Sequence, residues 1–150
     1  MDLSKWADRY RNELHTEAPR AGVIRDLLAV VDREIRDAET VESDDGRLEH
    51  AHAACLAVAK AALSVSGYRM RSGAEAHHYR LLGSLEYTLG LTPCEIDELQ
   101  DYRSKRSRAM YDQVGVVTDT DAQAALTAAR QLRQRLLHWL RSNHADLLKE

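Results

Sequence analysis

Apolar residues recur at intervals of three or four along nearly the whole chain of 150 residues. This spacing places them along one side of an α-helix, and the alternation typical of a half-buried strand is absent. The clearest stripe lies between positions 19 and 39 and comprises Ile24, Leu27, Leu28, Val31, Ile35 and Ala38. The pattern predicts an all-α protein, an up-and-down bundle of five to six helices.

Helix start and stop residues divide the chain into six predicted helices. Their approximate bounds are 3–15, 19–39, 47–66, 74–89, 93–111 and 121–142. The clearest start is a capping threonine, Thr92, followed by Pro93 in the first turn and Glu95 three residues after the cap. The third predicted helix is rich in alanine, so neighbouring helices can approach it closely. We therefore expect it at the centre of the bundle.

Length and composition favour a single globular domain over residues 1–150. With 44% hydrophobic and 30% charged residues, the chain can bury a core, which excludes global disorder. There is no apolar run of about 20 residues and no signal-peptide core at the start, so we expect a cytoplasmic protein without a membrane partner. Cys55 and Cys94 are not in a spaced thiol motif, and we expect no disulfide, metal or cofactor.

A local cluster of cations stands out against a net charge of −3, which by itself gives no general attraction to nucleic acid. In the stretch "YRSKRSRAMYD", residues 102–112, Arg103 and Arg106 continue the helical spacing of the apolar stripe, which ends at Met110. A buried guanidinium needs a carboxylate, an anionic ligand or a watery groove between helices or subunits. The spacing therefore predicts an anion site near the end of this helix.

An alternative remains open for the same residues. The two arginines could pair with nearby carboxylates such as Asp97 or Asp101, with Lys105 and Arg108 on a solvated face of the helix. Basic runs of this kind are commonly no more than a solvated surface. The spacing alone does not decide between ion pairs and a phosphate site.

Other side chains could extend a phosphate site. Arg69 and Arg71 lie in a basic segment before the fourth predicted helix, where Tyr68 offers an aromatic ring for stacking on a base. His77 could reach the arginines as an auxiliary acid or base if the fourth and fifth helices pack antiparallel. His78, beside it on the helical stripe, is expected to be a hydrogen-bonded core histidine.

The stretch 102–112, with the preceding "ALSVSGYRMRSGAEAHHYRLLGSLEYTLGL", resembles bacterial HEPN-domain proteins, which are small helical bundles. The similarity of pattern extends over about residues 20–142. The family motif is an arginine, a polar residue that is often asparagine, a short spacer and a histidine. Arg106 and Ser107 match the first two places, and Tyr111 stands where the histidine would be. The next histidine in the sequence is His138.

The resemblance implies an RNA-binding protein or a metal-independent endoribonuclease, possibly a toxin, that acts as a homodimer with two motifs in one cleft. It also implies a nucleotidyltransferase-type antitoxin as partner. Arg103 and Arg106 would stabilise the reacting phosphate, Tyr111 would position or protonate it, and Asp112 could orient one arginine. Lys105, Arg108, Arg69 and Arg71 would bind the RNA backbone. The missing histidine favours the alternative of a catalytically inactive, dimerising adaptor or antitoxin-like partner.

Overall fold

The computed structural model describes residues 1–71, 76–111 and 115–149, and these ranges form an all-α helical bundle, as predicted. The helices are α1 (Leu3–Arg9), α2 (Ala21–Thr40), α3 (Asp44–Val65), α4 (Ala76–Gly83), α5 (Leu85–Thr88), α6 (Pro93–Met110) and α7 (Asp119–Asn143), followed by a 3-10 turn at Ala145–Leu148. Two short strands, β1 (Leu14–Thr16) and β2 (Tyr68–Met70), complete the fold. No helix within the described ranges is long and apolar enough to span a bilayer.

Helix α3 lies at the centre of the bundle, which confirms its predicted position. It packs against α2 on one side and α7 on another, and it also contacts α4 and α6. Its alanines allow this because a methyl side chain lets a neighbouring backbone come close. Leu48 and Leu63 are buried near its two ends, with Ala51, Ala54 and Ala59 between them.

Helices α3 and α6 both begin with a side-chain cap. The Ser43 hydroxyl accepts a hydrogen bond of 3.0 Å from the Gly46 backbone N–H at the start of α3. At the start of α6 the Glu95 N–H donates to Thr92 Oγ1 at 3.2 Å, and the Thr92 N–H donates to Glu95 Oε1 at 3.0 Å. This reciprocal pair is a capping box, and it satisfies two backbone groups that a helix end otherwise leaves without partners.

We expect Thr92→Ala to lower the free energy of unfolding by about 1 kcal/mol, because the variant loses the side-chain acceptor of the capping box. Urea denaturation measures the change. Thr127→Ala is the matched control, since Thr127 is exposed within α7 and caps no helix. Equal stability of Thr92→Ala and the wild type would contradict this role of the cap.

The segment before α2 differs from the prediction. The first helix ends at Arg9 rather than near His15, and Leu14–Thr16 pairs antiparallel with Tyr68–Met70, with His15 opposite Arg69. The basic segment before α4 is therefore partly a strand. Three-residue strands more than fifty positions apart leave no periodic pattern in a sequence, which is why the helical spacing gave the wrong assignment here.

The fourth predicted helix is also interrupted. It forms α4 and α5, separated at Ser84. The Ser84 side chain is fully buried, and its hydroxyl donates a hydrogen bond of 2.6 Å to the Leu81 carbonyl oxygen. Serine hydroxyls compete in this way for the carbonyl groups of the preceding turn. The leucine spacing continues across the break and so predicted one helix.

Candidate nucleic-acid interface

A cavity of about 650 Å³ opens between α2, α3, β2 and α4. Part of its lining is apolar, from Val23, Leu27, Val30, Leu63 and Leu81. Its charged lining consists of four cations, Arg20, Lys60, Arg69 and Arg71, and two carboxylates, Glu17 and Asp26. Cations outnumber carboxylates in this lining, so the cavity attracts anions although the chain as a whole is acidic.

Pairing with the N-terminal strand places Arg69 and Arg71 at the cavity. The Arg71 backbone N–H donates to the Glu13 carbonyl oxygen at 2.8 Å, and Arg69 lies opposite His15 in the two-stranded sheet. Both arginine side chains are exposed, and Arg69 Nη1 lies 3.7 Å from Glu17 Oε1. Such an exposed pair contributes little to stability, so Arg69 can exchange Glu17 for an anionic ligand at small expense.

Two adjacent histidines, His77 and His78, line this same cavity. His77 was predicted as an auxiliary acid or base, and the structure brings it together with Arg69 and Arg71. The expectation that His78 is a core histidine is wrong, since this residue is only half-buried in the cavity wall. A neutral imidazole can accept a proton and a protonated one can donate it, so two imidazoles in one cavity offer both a general base and a general acid.

His52 of α3 lies behind His78 and is buried, and its place on the helical stripe predicts only a structural role. The two rings meet edge to face with their centroids 5.7 Å apart. His52 is 3% exposed, and its Nε2 atom has no hydrogen-bond partner in the described part of the chain. A buried polar atom without a partner costs about 1–3 kcal/mol of stability. The apolar stripe of α3 correctly indicates burial of this residue, but not its contact with another histidine.

Burial lowers the pKa of His52 to about 3, and the positive fields of His78, Arg106 and Arg103 act in the same direction. The ring is therefore neutral at physiological pH. Arg103 and Arg106 of α6 thus act on His52 electrostatically, while His78 contacts it directly.

Arg103 and Arg106 are half-buried rather than directed into the core. The buried face of α6 contains Leu99 and Tyr102, whereas Met110 is 51% exposed. The predicted inward stripe through Met110 was therefore wrong. Tyr102 takes the inward position because its ring supplies far more apolar surface than the guanidinium next to it, and charged groups are costly to bury.

Arg103 contacts a glutamine and a tyrosine. Its Nε donates a hydrogen bond of 2.9 Å to Gln100 Oε1, and its Cζ lies 5.4 Å from the centre of the Tyr79 ring. The Gln100 side-chain amide in turn donates to the Tyr79 backbone carbonyl at 2.9 Å. These contacts connect α6 to α4 one residue beyond His78. Neither Gln100 nor Tyr79 was predicted as a site residue.

Lys105 is ion-paired, whereas the alternative that the sequence left open placed it on a solvated face and assigned the carboxylates to the arginines. Its Nζ lies 2.9 Å from Asp121 Oδ1 and 3.1 Å from Asp101 Oδ2, and these contacts raise the pKa of the lysine. Lys105 therefore joins α6 to the start of α7 and is already neutralised by carboxylates. It is a poor candidate for phosphate binding.

The remaining predicted residues lie at the end of α6. Arg108 is exposed in the last turn, and Tyr111 is 66% exposed directly after the helix. Within the described ranges neither residue lines the cavity. Asp112 falls outside the residues that the structure describes. Tyr111 is thus not part of the lining that contains the two histidines.

One group of potential metal ligands occurs among the described residues, although the sequence predicted none. Oxygen and nitrogen atoms of Glu34, Asp37 and His50 lie within 4.8 Å of one another. The group already has internal contacts, since His50 Nδ1 is 2.7 Å from Glu34 Oε2 and Arg33 contacts the other Glu34 oxygen at 3.0 Å. The contact of Glu34 with His50 accounts for the arrangement as a hydrogen-bonded link between α2 and α3.

No protein-family model matches the chain, and no curated protein or solved structure shows significant similarity to it. The cavity therefore provides the main basis for assigning a function. It brings the basic residues after α3 together with the histidines of α4.

Proposed function

We propose that the cavity binds RNA and that the chain is a metal-independent endoribonuclease of the HEPN type. The proposal is carried by the presence of His77 and His78 in a cavity with an excess of cations. Arg69 and Arg71 supply charge for backbone phosphate, and the imidazoles supply proton transfer near neutral pH. Binding of an anionic polymer by an acidic protein requires a local basic site of this kind.

Cleavage at such a site uses the ribose 2′-hydroxyl as nucleophile. One imidazole takes the hydroxyl proton while the 2′ oxygen bonds to the adjacent phosphorus and the bond from phosphorus to the 5′ oxygen breaks. The other imidazole, in its protonated form, gives its proton to the leaving 5′ oxygen. The products are a 2′,3′-cyclic phosphate and a free 5′-hydroxyl. Arg69 and Arg71 stabilise the charge that develops on the phosphoryl oxygens.

The arginines of α6 have a supporting role in this proposal. Burial keeps His52 neutral, and the positive fields of Arg106 and Arg103 act in the same direction. His52 in turn packs against His78. Tyr111 takes no part in the chemistry, because it is exposed at the end of α6. The resemblance to HEPN proteins adds to the proposal that the chain forms a homodimer and acts as a toxin, with a nucleotidyltransferase-type antitoxin as its partner.

Removing one cavity arginine tests RNA binding. We expect Arg69→Ala and Arg71→Ala each to weaken binding about tenfold at moderate salt and to reduce the slope of log affinity against log salt by about one. Fluorescence anisotropy with a labelled RNA measures both quantities. Arg141→Ala is the control, because Arg141 is exposed near the end of α7 and does not line the cavity. Equal losses in all three variants would contradict a phosphate site at this cavity.

A specific observation favours a second function, that of a dimerising adaptor or antitoxin-like partner without catalysis. Three large side chains of α4 and the end of α6, Tyr79, Met110 and Tyr111, are between 51% and 66% exposed. Exposed aromatic residues and methionines are enriched in protein interfaces. An adaptor predicts self-association without RNA binding, so the same anisotropy titration, followed by gel filtration, separates the two functions.

A further inference from the structure

We propose that Tyr79 and Arg103 form a stacking platform for an unpaired base, so that the RNA bound at the cavity is single-stranded. This inference rests on the proposed function and identifies its substrate class. Tyr79 is 52% exposed, and Arg103 Cζ lies 5.4 Å from the centre of its ring. Aromatic rings and guanidinium planes are the two surfaces on which RNA-binding proteins stack bases.

Gln100 holds the platform together before any ligand binds. Its side-chain oxygen accepts from Arg103 Nε at 2.9 Å, and its side-chain nitrogen donates to the Tyr79 carbonyl at 2.9 Å. A single amide therefore fixes the guanidinium relative to the backbone of the residue that carries the ring. Side chains that are ordered in advance lose less conformational entropy when a ligand binds.

The ring of the platform belongs to a residue that is adjacent in sequence to the two cavity histidines. Tyr79 directly follows His77 and His78 on α4, and the next residue of a helix projects about 100° further round its axis. A strand with its phosphate beside the imidazoles can thus place a neighbouring base over the exposed ring. The bases of a duplex are paired and stacked inside the helix and offer no free face to such a ring.

The test compares RNA strands with a ligand that has phosphates but no bases. Anisotropy is measured with a labelled single-stranded RNA, a duplex of the same sequence and, as unlabelled competitor, inorganic polyphosphate. We expect Tyr79→Ala to weaken single-strand binding by about ten- to a hundredfold, and Tyr79→Phe to retain the wild-type affinity. Gln100→Ala should weaken it by a smaller factor, because the platform loses its positioning residue. The inhibition constant of polyphosphate should be the same for all these variants.

Tyr111→Ala is the matched control, since Tyr111 is also exposed but lies at the end of α6. The platform is overturned if the wild type binds single strands and Tyr79→Ala binds them equally well, or if the duplex binds as tightly as the single strand. Neither of these two results would contradict the proposed binding of RNA at the cavity. Failure of the wild type to bind any RNA would overturn the proposed function and the platform together. Circular dichroism verifies that Tyr79→Ala folds.

Discussion

Lowering the pH from 7 to 5 is expected to reduce the free energy of unfolding by about 2 kcal/mol through His52 alone. The pKa of this histidine is about 3 in the folded protein and about 6.5 in an unfolded chain. Between these values the unfolded state binds a proton that the folded state does not. The contribution to stability is thus complete above pH 6.5 and decreases as the pH falls towards 3, by about 5 kcal/mol in total.

Urea denaturation at several pH values between 7 and 4, on the wild type and His52→Leu, measures this dependence. The leucine variant should lose the His52 contribution to the acid destabilisation. It should also be about 1 kcal/mol more stable at pH 7, because it no longer buries a nitrogen without a partner. His138→Leu, at an exposed position of α7, is the control and should keep the wild-type pH dependence. A His52→Leu variant that is as acid-sensitive as the wild type would show that His52 is not the responsible group.

His78→Ala is expected to lower the rate of RNA cleavage by about 10²- to 10⁴-fold, the range typical for loss of a general acid or base. His77→Ala should have an effect of the same order, because both imidazoles line the cavity. Single-turnover cleavage of a labelled RNA in the presence of EDTA gives the rates. The pH profile should be bell-shaped in the wild type and should lose one limb in each variant.

Tyr111→Phe tests whether the chemistry occurs at the cavity or at the motif position of the HEPN resemblance. It should leave the rate within about twofold of the wild type, because an exposed residue that does not line the cavity is not in contact with the reacting groups. The opposite pattern, with an inactive Tyr111→Phe and an active His78→Ala, would place the chemistry at the end of α6. Loss of wild-type cleavage on adding EDTA would contradict a metal-independent reaction.

The sequence predicted those parts of the fold that depend on local contacts. The stripe of α2 and the capping box of α6 each involve residues of a single helix and its cap, and the structure confirms them. The pairing of β1 with β2 depends on contacts between distant segments. The break at Ser84 depends on a single hydrogen bond from a buried hydroxyl. Neither produces a period in the sequence.

The candidate site was only partly predictable for a similar reason. Arg69, Arg71 and His77 could be selected because cations and imidazoles are the groups that phosphate chemistry needs. Their convergence depends on how β2 and α4 pack beside α2. On α6 the neighbouring Tyr102 occupies the inward position, which moved Arg103 and Arg106 to the edge of the buried face. The contact of His52 with His78 arises only when α3 and α4 pack together.

The short sheet joins the amino-terminal segment to Arg69 and Arg71, two cations that line the cavity. The Arg71 backbone N–H donates to the Glu13 carbonyl oxygen, and Arg69 lies opposite His15. The same backbone contacts therefore order these two arginines and the amino-terminal segment. A ligand that requires these two arginines must stabilise the attachment of the amino-terminal segment. By thermodynamic reciprocity, detachment of the segment must weaken the binding of the ligand by the same factor. Under the proposed function, a partner that captured the first strand would thereby reduce RNA affinity without entering the cavity.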